Sequence, residues 1–229
     1  MSDWISFFDS DHSIYVNARH RAAHARITGD GMLAHLRPGD RVLDYGCGEA
    51  AYAERVAQTA GKLFLCEAAP NLRASLASRV AGNAAISVLS PEDAAALPDA
   101  SLDAVIMHSV SQYLTPADAD GLFRLFRRLL RPDGRLILGD VVQPDVPAYS
   151  DALALLRFGL RDGFFFAAVA GLVRTALSDY ARLRKAAGLT RYNEAAMLAK
   201  LNGCGFSAAR APQNIGHLQT RMTFIARPA

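Results

Sequence analysis

The sequence predicts a doubly wound α/β domain: a mostly parallel sheet with helices on both faces, an antiparallel C-terminal strand, and a helical insert after the fifth strand. Three observations predict it. Short apolar runs alternate with helical stretches along residues 41–142, turn residues punctuate the junctions, and 229 residues suffice for one such domain with a full core. Strands separated by helices need right-handed crossovers, so the sheet they build is parallel.

The elements follow in order. Ala18 to Leu36 reads as a helix, stopped by Arg37-Pro38-Gly39-Asp40. Arg41 to Tyr45 is a short apolar strand, followed by a glycine turn and an alanine-rich helix from Glu49 to about Thr59. Lys62 to Glu67 is the second strand, Asn71 to Val80 a helix, and Ala85 to Leu89 the third strand. Leu102 to His108 is the fourth strand and Pro116 to Leu130 a helix; Gly134 to Val142 is the fifth strand, after an Arg-Pro-Asp-Gly turn. From Val146 to Gly188 the pattern becomes a long, strongly apolar helical segment with no place in the alternation. A helix at Glu194 to Leu201 and strands near Phe206 to Ala211 and Thr220 to Ala226 close the chain.

Composition excludes several classes. With 51% hydrophobic and 21% charged residues the chain is too apolar for disorder. Net charge is +3, and Arg124, Arg127, Arg128 and Arg131 have the spacing of one solvated helix face, so nucleic acid is not expected as a partner. Cys47, Cys66 and Cys204 show no metal-ligand spacing, and an odd number argues against a disulfide framework. No metal is expected, and a reducing compartment fits. Met1 to Ser10 lacks the basic start and apolar run of a signal peptide, and Phe164 to Val173 is short of the roughly 20 residues that span a bilayer. The expected location is cytoplasmic.

The chemistry concentrates in Val42-Leu43-Asp44-Tyr45-Gly46-Cys47-Gly48, an apolar strand that ends in an acid and turns through two glycines into a helix. Glycines let the backbone pass close beneath a ligand, and parallel sheets bind at the C-terminal ends of their strands. A tight strand-to-helix connection and a nicotinamide site are the rival readings. Asp44 weighs against the second: a carboxylate here repels a pyrophosphate and attracts the ammonium group of a methionine moiety. Glu67, at the end of the second strand, sits where a carboxylate accepts two ribose hydroxyl hydrogen bonds.

These residues resemble the class I S-adenosylmethionine-dependent methyltransferases, a Rossmann-like family, and especially the small-molecule branch related to ubiquinone and menaquinone methyltransferases. The stretches that carry the resemblance are residues 42–48, Glu67, Glu92-Asp93-Ala94-Ala95-Ala96-Leu97-Pro98, Leu102-Asp103-Ala104-Val105-Ile106 and residues 130–138. The resemblance implies S-adenosyl-L-methionine as cofactor. It sets Asp44, Gly46, Cys47 and Gly48 against its methionine part, Glu67 and Ala68 at the ribose, Asp93 at the adenine amino group and Ala94 beside the ring. Ala50 stands where the family usually has a further glycine, which predicts a slightly tighter turn with binding retained. A single domain is expected, divided into a helical lid (1–40), the cofactor-binding core (41–145), the insert (146–190) and a C-terminal helix with strands (191–229).

The acceptor side is read from the remaining polar and aromatic residues. His108, Gln112 and Tyr113 follow the fourth strand at the mouth of the sheet, where His108 is either a base or a residue packed on the cofactor. His20 and His24 share a helix face and, with Tyr15, form either a surface pair or part of a lid. His217, which precedes the last strand with Asn214 and Arg221 nearby, is the second candidate base. Methyl transfer to oxygen needs orientation and loss of a proton, so the expected reaction is O-methylation of an apolar small molecule, with nitrogen and carbon as the lesser readings. A non-catalytic binding scaffold and a nicotinamide-dependent oxidoreductase are the alternatives. In the insert, Phe165 and Phe166 are expected to line a hydrophobic acceptor site under a lid hinged at Asp162-Gly163. Packing within the domain, a homodimer interface and peripheral contact with anionic lipid, through flanking Arg157, Arg161, Arg174 and Arg182, are the other readings of that surface.

Overall fold

The computed structural model describes residues 2–9, 15–176 and 189–229. The strands are β1 (Arg41–Tyr45), β2 (Lys62–Cys66), β3 (Ile86–Leu89), β4 (Leu102–His108), β5 (Leu130–Val141), β6 (Phe206–Arg210) and β7 (Met222–Pro228). The helices are α1 (Ser2–Phe8), α2 (Ala18–Leu33), α3 (Ala53–Thr59), α4 (Pro70–Val80), α5 (Pro91–Ala95), α6 (Pro116–Leu129), α7 (Ala148–Asp162), α8 (Phe165–Ala176) and α9 (Glu194–Gly203). The described strands make one sheet in the order β3-β2-β1-β4-β5-β7-β6. β1 to β5 pair in parallel, and β7 runs antiparallel to both β5 and β6.

Strand residues alternate between faces, and the alternation sorts the core into two layers. Leu43, Val105, Leu136 and Leu138 pack with Phe123, Phe126 and Leu129 of α6 and with Met197 and Leu201 of α9. Val42, Ala104, Ile106 and Ile137 pack on the other face with Met32 of α2, Val56 of α3 and Leu76 of α4. α6 shows why its sequence folds this way. Thr115 and Asp118 form a capping box at its start, its apolar residues recur every three or four positions, and Arg127 and Arg128 occupy its last turn. These arginines are engaged within the protein: Arg127 Nε donates to Gly205 O at 3.0 Å, Arg128 pairs with Asp99, and Arg131 pairs with Asp103 at 2.6 Å.

Most boundaries match the sequence pattern, and the differences have local causes. The helix after β1 starts at Ala53 rather than Glu49, because Ala50 holds a positive φ of 40° that interrupts helical geometry. Leu130 opens β5 instead of closing α6. Two short helices escape the sequence reading: α1 within the polar start, and α5, which Ser90 and Asp93 nucleate as a capping box with Pro91 at its first position. The insert is helical, with α7 and α8 joined at Gly163, whose φ of +77° gives the left-handed cap that ends α7. Its remainder, 177–188, including Arg182, lies outside the described residues.

Candidate active site

A cleft with a volume of about 1790 Å³ runs across the C-terminal ends of the central strands. At one end it is lined by Gly46, Cys47, Gly48, Glu67, Ala68, Asn71, Pro91 and Glu92. The glycine turn is required by geometry. Gly46 has φ +74°, and a Cβ there would lie 2.5 Å from Val110 Cγ2. Gly48 has φ +58° and open space where its Cβ would be, so the backbone presents itself bare to the cleft. Glu67 ties this turn to the next strand: its Oε2 accepts from Gly48 N and its Oε1 from Ala69 N, both at 2.9 Å. Each oxygen keeps a second lone pair, so the carboxylate can still accept from a vicinal diol. A bare backbone cradle beside an acceptor-only carboxylate fits a neutral ribose carrying a cationic side arm, and S-adenosylmethionine has that chemistry.

Asp44 lies one layer deeper than the sequence suggests. It is buried at 1% exposure and does not line the cleft; its Oδ2 accepts from Tyr52 Oη at 2.7 Å, and Tyr52 faces the cleft. Burial pushes the Asp44 carboxyl up to about 7, against the Tyr52 hydrogen bond that lowers it. Asp44 is therefore connected to the cleft through Tyr52 rather than by lining it. Tyr52 carries no signal in the sequence beyond lying two turns past the acid.

The acid expected at the adenine amino group is part of a helix cap. Asp93 caps α5, accepting from Ser90 N at 3.1 Å and Ser90 Oγ at 2.9 Å, and these bonds hold its carboxyl below the usual range. Neither Asp93 nor the fully buried Ala94 lines the cleft; Pro91 and Glu92 do. A capping box aims its third-position acid back at the helix start, which turns Asp93 away and its neighbour Glu92 inward. Over this end fold Phe7 and Phe8 of α1, with Trp4 against Tyr113 at a centroid distance of 4.5 Å. Asp9 anchors the helix by accepting from Asn71 N at 2.6 Å and Asn71 Nδ2 at 3.0 Å.

The other end gathers histidines from three distant segments. His24 of α2, His108 at the end of β4 and His217 before β7 line the cleft, and His20 packs directly behind. His20 and His24 are thus not a surface pair. Burial drives His24, His108 and His217 down to about 4, so all three are neutral imidazoles at physiological pH. Gly139 makes room for His108, since a Cβ there would fall 2.6 Å from His108 Nδ1, a buried nitrogen with no hydrogen-bond partner among the described residues. Tyr15, Gln112 and Tyr113 line the cleft, and Gln112 Oε1 is buried with no hydrogen-bond partner among the described residues.

The insert borders this end, through different residues from those expected. Phe158 and Phe164 point inward, stacking on His217 and His20 at 4.5 and 4.9 Å, while Leu155 and Leu172 line the cleft. Phe165 and Phe166 do not line it, and Phe166 is 86% exposed on the outer face. The helix phase decides: Phe164 and Ala168 face α2, which rotates Phe166 to the opposite side. Arg26 pairs with Asp162 at 2.7 Å and Arg19 Nη1 donates to Gly163 O at 2.8 Å, so the hinge itself is docked on α2.

A second polar group at this end goes unread in the sequence. The β5–β7 ladder shifts register between Leu138 and Val141, and in that bulge Asp140 takes φ +63°; opposite it, just past β4, Ser109 takes φ +58°. Ser109 Oγ donates to Asp140 Oδ2 at 2.8 Å and Asn214 Nδ2 donates to Oδ1 at 3.4 Å. Asp140 lines the cleft beside Arg221, which pairs with Asp151 of α7 at 2.6 Å.

Residues 43–138 match the family model for a methyltransferase domain, and the sheet order and glycine turn are consistent with that fold. Among curated proteins, a nocamycin O-methyltransferase from Saccharothrix syringae is 37% identical over 134 residues, 56% of this chain and 46% of that protein. The chain spans about half the length of the curated relatives it matches. Among solved structures, the 1,6-didemethyltoxoflavin-N1-methyltransferase of Burkholderia thailandensis, with its substrate and S-adenosylhomocysteine bound, is similar with a TM-score of 0.61 at 17% identity, covering 100% of this chain and 86% of that one. The magnesium protoporphyrin IX methyltransferase of Synechocystis, with S-adenosylhomocysteine bound, gives 0.59 at 19% identity, covering 100% and 94%. These two likenesses bear on the fold alone. Among the described residues no helix is long and apolar enough to cross a membrane, and no cluster of acids, histidines and cysteines is arranged to hold a metal ion.

Proposed function

We propose that the protein methylates an oxygen of an apolar small molecule. The observation that carries this reading is the two-ended cleft. Its volume of about 1790 Å³ exceeds the roughly 300–1,000 Å³ of a single-ligand pocket, so cofactor and acceptor fit side by side. S-adenosylmethionine supplies an electrophilic methyl group; the chain's own residues bind, orient and exclude water. Glu67 and the Gly46–Gly48 backbone hold the ribose and methionine parts, with Glu92 and Pro91 at the base. α1 and the α7–α8 pair close the two ends. His108 and His217, both neutral, accept hydrogen bonds from the acceptor and are the candidate proton acceptors. The relative named as an O-methyltransferase supports oxygen over nitrogen. Tyr149, Leu160 and Phe166 on the outer face of α7 and α8 form the surface to which the homodimer and lipid readings attach.

Calorimetric titration with S-adenosylhomocysteine, followed by mass-spectrometric assay of methyl transfer across a panel of aromatic hydroxyl and amine acceptors, tests the proposal. Micromolar binding with turnover of hydroxyl acceptors supports it. Binding without turnover of any acceptor favours the scaffold reading, and preference for amines overturns the choice of oxygen.

A further inference from the structure

Among the described residues, the acceptor end of the cleft holds one charged group with no countercharge within hydrogen-bond distance. Arg221 pairs with Asp151 while its field also favours an ionised Asp140 against the cost of burial, and His24, His108 and His217 are neutral, which leaves Asp140 without an ion pair among the described residues. Both its oxygens accept hydrogen bonds, from Ser109 Oγ and Asn214 Nδ2, the pattern of an ionised carboxylate. Asn214 is itself fixed, its Oδ1 accepting from Thr223 Oγ1 at 2.8 Å and from Asp140 N at 3.1 Å. Two facing residues in the left-handed region, Ser109 and Asp140, add backbone strain at the place where these side chains meet. Folding maintains an oriented carboxylate at the end of an aromatic and aliphatic slot made by Tyr15, His24, His217, Leu155 and Leu172.

We propose that this end selects neutral aromatic acceptors bearing a hydroxyl or ring N–H that donates to Asp140, and rejects anionic ones; Ser109 and Asn214 are its positioning residues. The proposal rests on reading the cleft as a methyl-acceptor site. A donor on the acceptor completes the remaining lone pairs of Asp140, whereas a carboxylate or phosphate on the acceptor meets like charge in a site walled off from water.

The test is calorimetry on the S-adenosylhomocysteine-saturated protein with three probes of similar shape: 4-nitrophenol kept un-ionised by mildly acidic buffer, 4-nitroanisole and 4-nitrobenzoate. The expected ranking is 4-nitrophenol bound about tenfold to a hundredfold more tightly than 4-nitroanisole, with no binding of 4-nitrobenzoate. In Asp140→Asn the phenol preference falls below about threefold and the benzoate gains affinity, while S-adenosylhomocysteine affinity stays unchanged. Asparagine tolerates the left-handed conformation as aspartate does, so the bulge is kept. The wild-type ranking stands as a test even if that variant misfolds. Equal binding of phenol and anisole, benzoate binding to the wild type, no phenol binding at millimolar concentration, or selectivity that survives Asp140→Asn each overturn the proposal. Failure of S-adenosylhomocysteine to bind at all instead overturns the methyltransferase reading beneath it.

Discussion

His217 lies face to face on Phe158, with ring centroids 4.5 Å apart and planes 18° from parallel. This contact joins the loop before β7 to α7, and with His20 on Phe164 it holds the insert against the core through neutral imidazoles. The insert is docked by rings whose protonation would bring positive charge into an apolar layer.

Stability should therefore fall in mild acid. His20, His24, His35, His108 and His217 are all lowered by burial, so below about 6.5 the unfolded chain takes up protons that the folded one refuses, in the case of His24, His108 and His217 until about 4. Asp44, raised from 3.8 to about 7, acts oppositely: it keeps its proton in the fold where the unfolded carboxyl ionises, which lowers stability as pH rises, and Asp140, which burial also raises, contributes in the same direction. Five imidazoles outweigh two carboxyls, so Tm should climb as pH is raised from about 4 to 6.5. A Tm that is flat or falling across that window counts against neutral buried histidines.

Phe158→Ala should cost about 3–5 kcal/mol, because the ring is buried between Phe164 and His217. Phe166→Ala, on the outer face, should change stability by less than about 0.5 kcal/mol. Denaturant melts of the two variants check this, and equal effects would refute the inward phase assigned to α7 and α8.

Leu155→Ala and Leu172→Ala should raise the KM of an acceptor identified in the panel assay and leave S-adenosylhomocysteine affinity within about twofold, because both side chains line the acceptor end alone. Parallel loss of cofactor affinity would show that the insert closes over the whole cleft.

Glu67→Gln should weaken S-adenosylhomocysteine by about tenfold to a hundredfold. An amide group would turn one donor toward a backbone N–H that Glu67 now accepts, and it loses a charge-assisted bond of about 1.5–3 kcal/mol. Titration calorimetry reads the change, and an unaltered affinity would remove Glu67 from the cofactor site.

Ala50→Gly should raise Tm. The left-handed φ of 40° costs an alanine about 1–2 kcal/mol, more than the roughly 0.4–1 kcal/mol of extra chain entropy that a glycine brings. Cofactor affinity should hold, since the change removes only one methyl group from the cleft wall. A lower Tm would show that packing of the methyl group outweighs the strain.

Much of the cofactor end was legible in the chain because its determinants are local. Continuous apolar runs bounded by turn residues set β1 and β4 to the residue, glycines at 46 and 48 mark where the backbone must turn bare, and Glu67 follows the second strand directly. The cap that Asp93 forms with Ser90 three residues earlier was equally local, a signal present in the sequence beside the family pattern.

The sequence by itself determined the sheet, its parallel core and the position of the glycine turn, since pleat, helix period and turn chemistry act over a few residues. Tertiary structure alone decided the acceptor end. His24, His108 and His217 come from segments nearly two hundred positions apart, and nothing local brings them together. Whether Phe164 or Phe166 faces inward depends on how α8 rolls against α2. Asp140 enters the cleft because pairing with the antiparallel β7 forces a bulge into β5, and a bulge belongs to the pairing of two strands rather than to either one.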